Sequence, residues 1–266
     1  MRNLPKRAGG AAKGALRSAL DWEYRRRFRA DVDGYVYLDE LDLEEEGRVW
    51  HAASEWLPTL VALRRLRLGP DDVVADLGCG KGAALLLAAT QPVRRVVGVE
   101  LADELAETAR HNLRLNTSRV RARQVEVVTT DVLDWQVPDD LSVVYLYSPF
   151  VGSLFTQVVQ RLIDAHDRAP RPLRLVYNFP FEHNRLLATG RAVVLDVCPA
   201  RWPRMPRWWL REEVVVTYGI GEGPFPAPRG LRAPREAWLH WSAPNDVELR
   251  LVRPGRPVLS SKTGTA

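Results

Sequence analysis

Residues Val73–Gly82 read VVADLGCGKG, and the rest of the chain is ordered around them. A short apolar run ends in the acid Asp76. Glycines follow at alternate positions, Gly78, Gly80 and Gly82, and then comes the alanine- and leucine-rich run Ala83–Ala89. That order predicts a strand, a tight turn and a helix. Glycine in the turn permits positive φ and lets the backbone approach a ligand closely. The unpaired N–H groups of the helix start lie just beyond. Such a turn at the carboxyl end of a buried strand makes a nucleotide-sized pocket.

Outward from this stretch, strand and helix patterns alternate. Strands are expected at Val73–Leu77, Arg95–Glu100, Val125–Thr130, Ser142–Tyr147 and Leu173–Tyr177. Between them, Leu101–Asn116 places Leu101, Leu105, Ala109 and Leu113 on one helical face. Gly152–Asp167 does the same with Leu154, Phe155, Val158, Val159, Leu162 and Ile163. Alternation of this kind implies α/β architecture with a doubly wound, mostly parallel sheet. After Tyr177 the rhythm changes. Ala192–Val197 and Val214–Tyr218 are joined by Cys198–Glu213, which is short for a crossover helix, so an antiparallel pair is expected.

Upstream, His51–Leu66 leads into the core, and Ser54 can cap a helix there whose first turn tolerates Pro58. Leu57, Leu60, Val61 and Leu63 face inward, and Gly69-Pro70 stops it. Asp21–Arg29 (DWEYRRRFR) is a short basic helix that lays its aromatics on the domain body. Met1–Leu20 is a frayed arm, and Asp31–Glu46 is an acidic linker or lid. Downstream, Ala237–Trp241 and Val247–Val252 suggest an extra hairpin, followed by a disordered end. The expected division is an N-terminal helical arm and lid (1–47), a central domain (48–220) and a Pro/Gly-rich extension (221–266).

The chain has 266 residues, 46% of them hydrophobic, two cysteines and a formal net charge of +5. No apolar run reaches the roughly 18 residues of a membrane span. Cys79 and Cys198 make no disulfide framework, so a reducing cytoplasm is the expected setting. The excess of basic charge is a solvated surface, or an attraction to nucleic acid or an acidic substrate.

Two readings compete for the glycine turn. Gly78, Gly80 and Ala83 satisfy the loose dinucleotide pattern, which would make the chain an NAD-dependent oxidoreductase of Rossmann type. Asp76 argues against it, because a carboxylate two residues before the first glycine repels a pyrophosphate and suits a cationic ligand. Glu100 ends the strand VVGVE, 22 residues beyond Gly78, where a carboxylate accepts ribose hydroxyls in either reading. Its alternative role is an acid at a helix start.

The wording D-L-G-C-G-K-G, followed by Y-L-Y-S-P-F at Tyr145–Phe150, resembles the class I S-adenosylmethionine (SAM) dependent methyltransferases over His51–Ile220. It looks most like bacterial methyltransferases of unassigned substrate, distantly similar to the non-SET histone-lysine methyltransferases. The resemblance implies a seven-stranded sheet closed by the antiparallel pair, and SAM as cofactor. It implies a cofactor site of Asp76, Gly78, Gly80, Gly82, Glu100, Leu101, Asp131 and Val132, the last two at the adenine, with Asp134 left as a surface turn. It places Ser148, Pro149 and Phe150 beside the transferable methyl as the catalytic stretch, with Phe150 able to stack on a flat substrate. The family often has Asn or Asp where this chain has Ser148, which weakens amino-group methylation on a nucleobase.

Methyl transfer from a sulfonium needs alignment above all. No base is evident. His183 is the candidate, His111 and His166 are expected at the surface, Lys81 is expected in solvent, and no metal is expected. Trp202, Trp208 and Trp209 line a substrate mouth, or else cover the sheet edge or a subunit contact. The expected acceptor is a small molecule or an accessible protein side chain. RNA is possible, while duplex DNA and a membrane are not expected. A non-catalytic SAM-fold binding module is the alternative outside enzymology.

Overall fold

Strand β3, Val73–Leu77, is buried along its whole length and is the third strand of a seven-stranded sheet. The structure is a computed structural model and describes residues 19, 22–24, 26–32, 35–36, 47–48, 51–52, 56–199, 214–221, 225, 237–241 and 247–251. The two-residue strands β1 (Tyr35–Val36) and β2 (His51–Ala52) pair with each other. Helix α1 (Trp56–Arg65) then leads to β3 and α2 (Ala83–Ala89). There follow β4 (Arg95–Glu100), α3 (Asp103–Leu115), β5 (Gln124–Thr129), β6 (Val143–Tyr147) and α4 (Gly152–Arg168). The chain continues through β7 (Leu173–Asn178), α5 (His183–Ala188), β8 (Ala192–Pro199) and β9 (Val214–Ile220). A separate antiparallel hairpin, β10 (Ala237–Trp241) with β11 (Val247–Leu251), stands where the sequence predicts it.

The strand order is β5-β4-β3-β6-β7-β9-β8, with β9 antiparallel to both its neighbours. This is the doubly wound, mostly parallel sheet expected, closed by the antiparallel pair. A parallel sheet needs both faces covered, and two apolar layers supply the cover. One face carries Ala75, Leu77, Val99, Leu146 and Tyr177 against α4, whose six inward residues are all buried as predicted. The other carries Val74, Val96, Tyr145 and Val176 against α1 and α2. Tyr24 and Phe28 join this second layer, so the basic helix does lay two aromatics on the body, while Trp22 points outward. Buried Arg174 ties the amino edge of the sheet together, donating to Asp72 Oδ1 at 2.6 Å and to the Leu66 carbonyl at 3.0 Å.

Four local expectations are corrected. Helix α3 starts at Asp103, not Leu101, because the Glu100 carboxylate holds the Leu101 and Ala102 amides outside the helix. Its inner face is Leu105, Ala106, Ala109 and the polar Asn112, with Leu101 and Leu113 only half-buried. In α1 the buried set is Trp56, Pro58, Thr59, Leu60, Ala62 and Leu63, while Leu57 and Val61 are half-buried. His166 is buried rather than exposed, because it lies on the sheet side of α4 against Gly221, where an added Cβ would run into its ring. His111 is exposed as expected. Ser54, most of Met1–Leu20, most of Asp31–Glu46, the last dozen residues and the Trp202, Trp208 and Trp209 loop lie outside the described residues.

Candidate functional site

The glycine turn is shaped by close contacts on three sides. Gly78, Gly80 and Gly82 all have positive φ (72°, 53° and 83°), the left-handed region that other residues enter at a penalty. A Cβ on Gly78 would stand 2.7 Å from Pro149, and one on Gly82 would stand 3.0 Å from Ala109. The Gly78 and Cys79 amides both donate to the Val99 carbonyl, which binds the turn to the end of β4. A fourth glycine, Gly98 in β4, lets Cys79 and Leu85 pack on it, each 2.8 Å from where a Cβ would be. Gly98→Ala is expected to destabilise the fold by about 1–3 kcal/mol through overpacking beneath the turn. Urea titration against the parent chain measures this, and an unchanged midpoint would show that the turn has slack.

Glu100 lies at the junction. Its Oε2 accepts the Gly80 amide at 2.7 Å, and its Oε1 accepts the Leu101 and Ala102 amides at 2.9 and 3.0 Å. One buried carboxylate thus joins the glycine turn to the start of the next crossover. Burial raises its pKa, and the three amides work against that rise. Asp76 is also buried, and its Oδ2 has no hydrogen-bond partner. Burial pushes its carboxyl up to about 7, helped by the nearby Glu100 charge and opposed by the Leu85 amide. Cys79 is a buried free thiol whose pKa burial raises well above the ordinary value, so it is a packing residue.

Asp131 follows β5. It accepts the Leu133 amide at 2.8 Å on one oxygen and an ion pair from Arg48 on the other. Val132 is buried beside it, and Asp134 is exposed as expected. Arg48 pairs as an isolated antiparallel bridge with Phe150, and the Val151 amide donates to the Gly47 carbonyl at 2.8 Å. Gly47 and Arg48 therefore lie across the loop after β6, between Asp131 and Phe150. The sequence carries no sign of this beyond one arginine after an acidic run.

The stretch after β6 differs from expectation. Ser148 has a left-handed φ of 46° and is buried. Its hydroxyl donates to the Phe179 and Asn178 carbonyls of the neighbouring loop, so it is a tie between loops and is not turned outward as an acceptor. Phe150 is only 7% exposed and belongs to the core against α4, so its face is not offered for stacking. Pro149 does reach the site, on Gly78. The aromatic groups at this edge come from elsewhere. Tyr147 meets Phe179 edge-on at 5.5 Å, and Phe179 stacks near Phe181 at 6.4 Å. Phe179 itself has a φ of 50°. Beside them, the buried Asn178 side-chain oxygen has no partner, while its nitrogen reaches the Tyr145 hydroxyl at 3.4 Å.

His183 does not reach this edge. It is buried with Nδ1 2.6 Å from the Tyr218 hydroxyl, and burial lowers its pKa to about 4. It is a core histidine, since α5 turns it down onto the middle of β9. Lys81 is half-buried and paired with Asp31 at 3.4 Å, not free in solvent. Among the described residues no group of His, Cys, Asp and Glu could hold a metal ion, and no helix is long and apolar enough to cross a membrane.

Residues 74–172 match a family model described as a methyltransferase domain. This part of the chain is a methyltransferase domain. It has the Rossmann-like class I architecture, and a methyltransferase domain implies SAM as cofactor. Solved structures similar to it include an RNA methyltransferase from Salinibacter ruber in complex with S-adenosyl-L-homocysteine, 22% identical over 63% of this chain and 93% of that one, with a TM-score of 0.43. The tRNA (uracil-54, C5)-methyltransferase of Pyrococcus abyssi is 17% identical over 61% of this chain and 38% of its own, with a TM-score of 0.46. The ribosomal protein L11 methylase of Lactobacillus delbrueckii subsp. bulgaricus is 16% identical over 62% and 78%, with a TM-score of 0.44.

Proposed function

We propose that the methyltransferase domain holds SAM at the carboxyl edge of β3, β4 and β5 and presents it to an acceptor at the ends of β6 and β7. The supporting observation is Asp76, a buried carboxylate with an unpartnered oxygen directly before three glycines of positive φ. A group of that kind complements a bound cation and opposes a pyrophosphate. In this reading Asp76, Gly78, Gly80 and Gly82 receive the amino-acid end of the cofactor. Glu100 and Leu101 receive the ribose, and Asp131 with Val132 the adenine. SAM supplies a methyl group on a sulfonium, already activated for displacement. The chain's work is alignment: the glycine turn sets one partner, and the loops after β6 and β7, tied through Ser148, set the other. Ser148 and Pro149 are then positioning residues, and Phe150 supports them from the core. Residues 48–220 form the catalytic unit of this proposal, with 1–47 as its arm and 221–266 as an extension.

The reading of Ser148 against a nucleobase acceptor loses its force, since that hydroxyl is spent between loops. Asn178, Phe179 and Phe181 stand at the acceptor edge instead. Calorimetric titration with S-adenosylhomocysteine and with NADH tests the cofactor. Binding of the first alone is expected, and binding of NADH alone would return the oxidoreductase reading. Methyl-labelled SAM added to host lysate fractions then tests turnover. Label is expected in one class of acceptor, and cofactor binding with no label anywhere would favour the non-catalytic module.

A further inference from the structure

We infer that the flank formed by helical residues 22–24 and 26–28 and the segment between α3 and β5 is a docking surface for single-stranded RNA. The inference deepens the proposed function, because it names the acceptor class, but its test does not depend on catalysis. Residues 110–123 contain Arg110, Arg114, Arg119, Arg121 and Arg123 and no carboxylate. Several arginines elsewhere are tied to acids, as in Arg65–Asp196, Arg174–Asp72 and Arg191–Asp167. Here Arg114, Arg119, Arg121, Arg123 and Arg27 are exposed and have no carboxylate partner among the described residues. The nearby acids are engaged: Glu23 with Arg26, Asp31 with Lys81 and Glu107 with Arg110. On β5, Glu126 is the exposed acid.

The two segments form one surface. The guanidinium groups of Arg27 and Arg119 lie over the same Phe28 ring, at 5.7 and 5.8 Å from its centre. Cations without carboxylate partners gathered on one flank attract a polyanion. A second observation chooses among polyanions. Trp22 is 63% exposed, while Tyr24 and Phe28 on the same helix are buried, and Arg26 lies 5.4 Å above its ring. An exposed tryptophan on the same helix as Arg27 matches the two needs of a single strand, a stacking platform for bases and cations for phosphates. An acidic peptide would use the arginines and leave the tryptophan without a role. The surface is also joined to the site, since the Tyr24 hydroxyl donates to the Ala83 carbonyl just after the glycine turn, and Asn112 donates to both the Asp31 and Lys81 carbonyls.

Fluorescence anisotropy of a labelled oligouridylate across a salt series tests this on the full chain. Arg121→Gln/Arg123→Gln is expected to weaken binding more than tenfold at low salt and to reduce the slope of log K against log salt by about 1.4, roughly 0.7 for each phosphate no longer neutralised. Trp22→Ala is expected to weaken binding severalfold with the slope unchanged. Both variants should bind S-adenosylhomocysteine like the parent, which separates this proposal from the cofactor reading. Unchanged RNA affinity in both variants would overturn it. So would equal competition by polyglutamate, which would indicate an acidic protein, or equal affinity for duplex DNA, which would show that no single strand is selected.

Discussion

Glu100→Ala is expected to remove most of the cofactor affinity and to destabilise the domain at the same time. The sequence alone predicts only the first effect, since an acid at the end of β4 reads as a ribose acceptor on an otherwise independent fold. The structure gives the carboxylate three amide donors, from Gly80, Leu101 and Ala102. Truncation leaves these buried or half-buried N–H groups without acceptors, and one such loss costs roughly 1–3 kcal/mol. Water entering the space left by the side chain recovers part of it, so a net loss of about 3 kcal/mol is expected in urea unfolding. The glycine turn and the start of α3 lose their common tie, and the ribose acceptor disappears with it. S-adenosylhomocysteine should therefore bind at least about a hundredfold more weakly, near 2.8 kcal/mol at roughly 1.4 kcal/mol per tenfold. Glu100→Gln keeps one acceptor oxygen but turns an NH2 group toward an amide, so it should fall between the two. Lower stability with unchanged affinity would mean that Glu100 only organises the helix start.

The fold is legible in the sequence because its signals are local. The runs at 73–77, 95–100 and 173–177 are apolar, β-branched and bounded by Gly, Pro or charge, and the strands follow them to within a residue. The 3.6-residue period of 152–167 marks the inner face of α4. Boundaries and polar partners are less legible, because they depend on groups distant in the chain. The delayed start of α3 is set by a side chain from the preceding strand. The site is half legible. Asp76 and the glycines carry their chemistry in their order, whereas Ser148 and Phe150 have only their position to suggest a role. Their burial comes from the β7–α5 loop and from α4, which no spacing announces. Arg48 on Asp131 and the aromatic edge at 178–181 escape the sequence for the same reason. The basic flank is partly visible: Arg25–Arg29 stands out as a dense run, while Arg119 is brought to the same Phe28 ring as Arg27 only by the fold.

Asp76 is expected to make both stability and SAM affinity depend on pH, in opposite directions. Its folded pKa of about 7 lies above the ordinary 3.8 of an exposed aspartate, because burial penalises the charge. Below about pH 4 the folded and unfolded chains both hold the proton. Between there and about pH 7 the unfolded chain releases it and the folded chain does not, so stability falls as pH rises. Above that, both are ionised and the loss is complete, on the order of 4 kcal/mol for a shift of roughly three pKa units. Asp76→Asn has no such proton to lose, so its unfolding free energy should lack this slope and exceed that of the parent chain at about pH 8. Affinity moves the other way. A ligand carrying an ammonium and a sulfonium selects the ionised carboxylate, and its apparent dissociation constant is divided by the ionised fraction. At about pH 6 that fraction is roughly one-tenth, so SAM should bind the parent chain about tenfold more weakly than at about pH 8. Asp76→Asn should bind it weakly at both. Calorimetry at the two pH values, with thermal melts of both proteins alongside, reads the whole pattern. A parent chain whose SAM affinity is flat across that range would show that Asp76 does not meet the cofactor's positive charge, and the reading built on its unpartnered oxygen would fail.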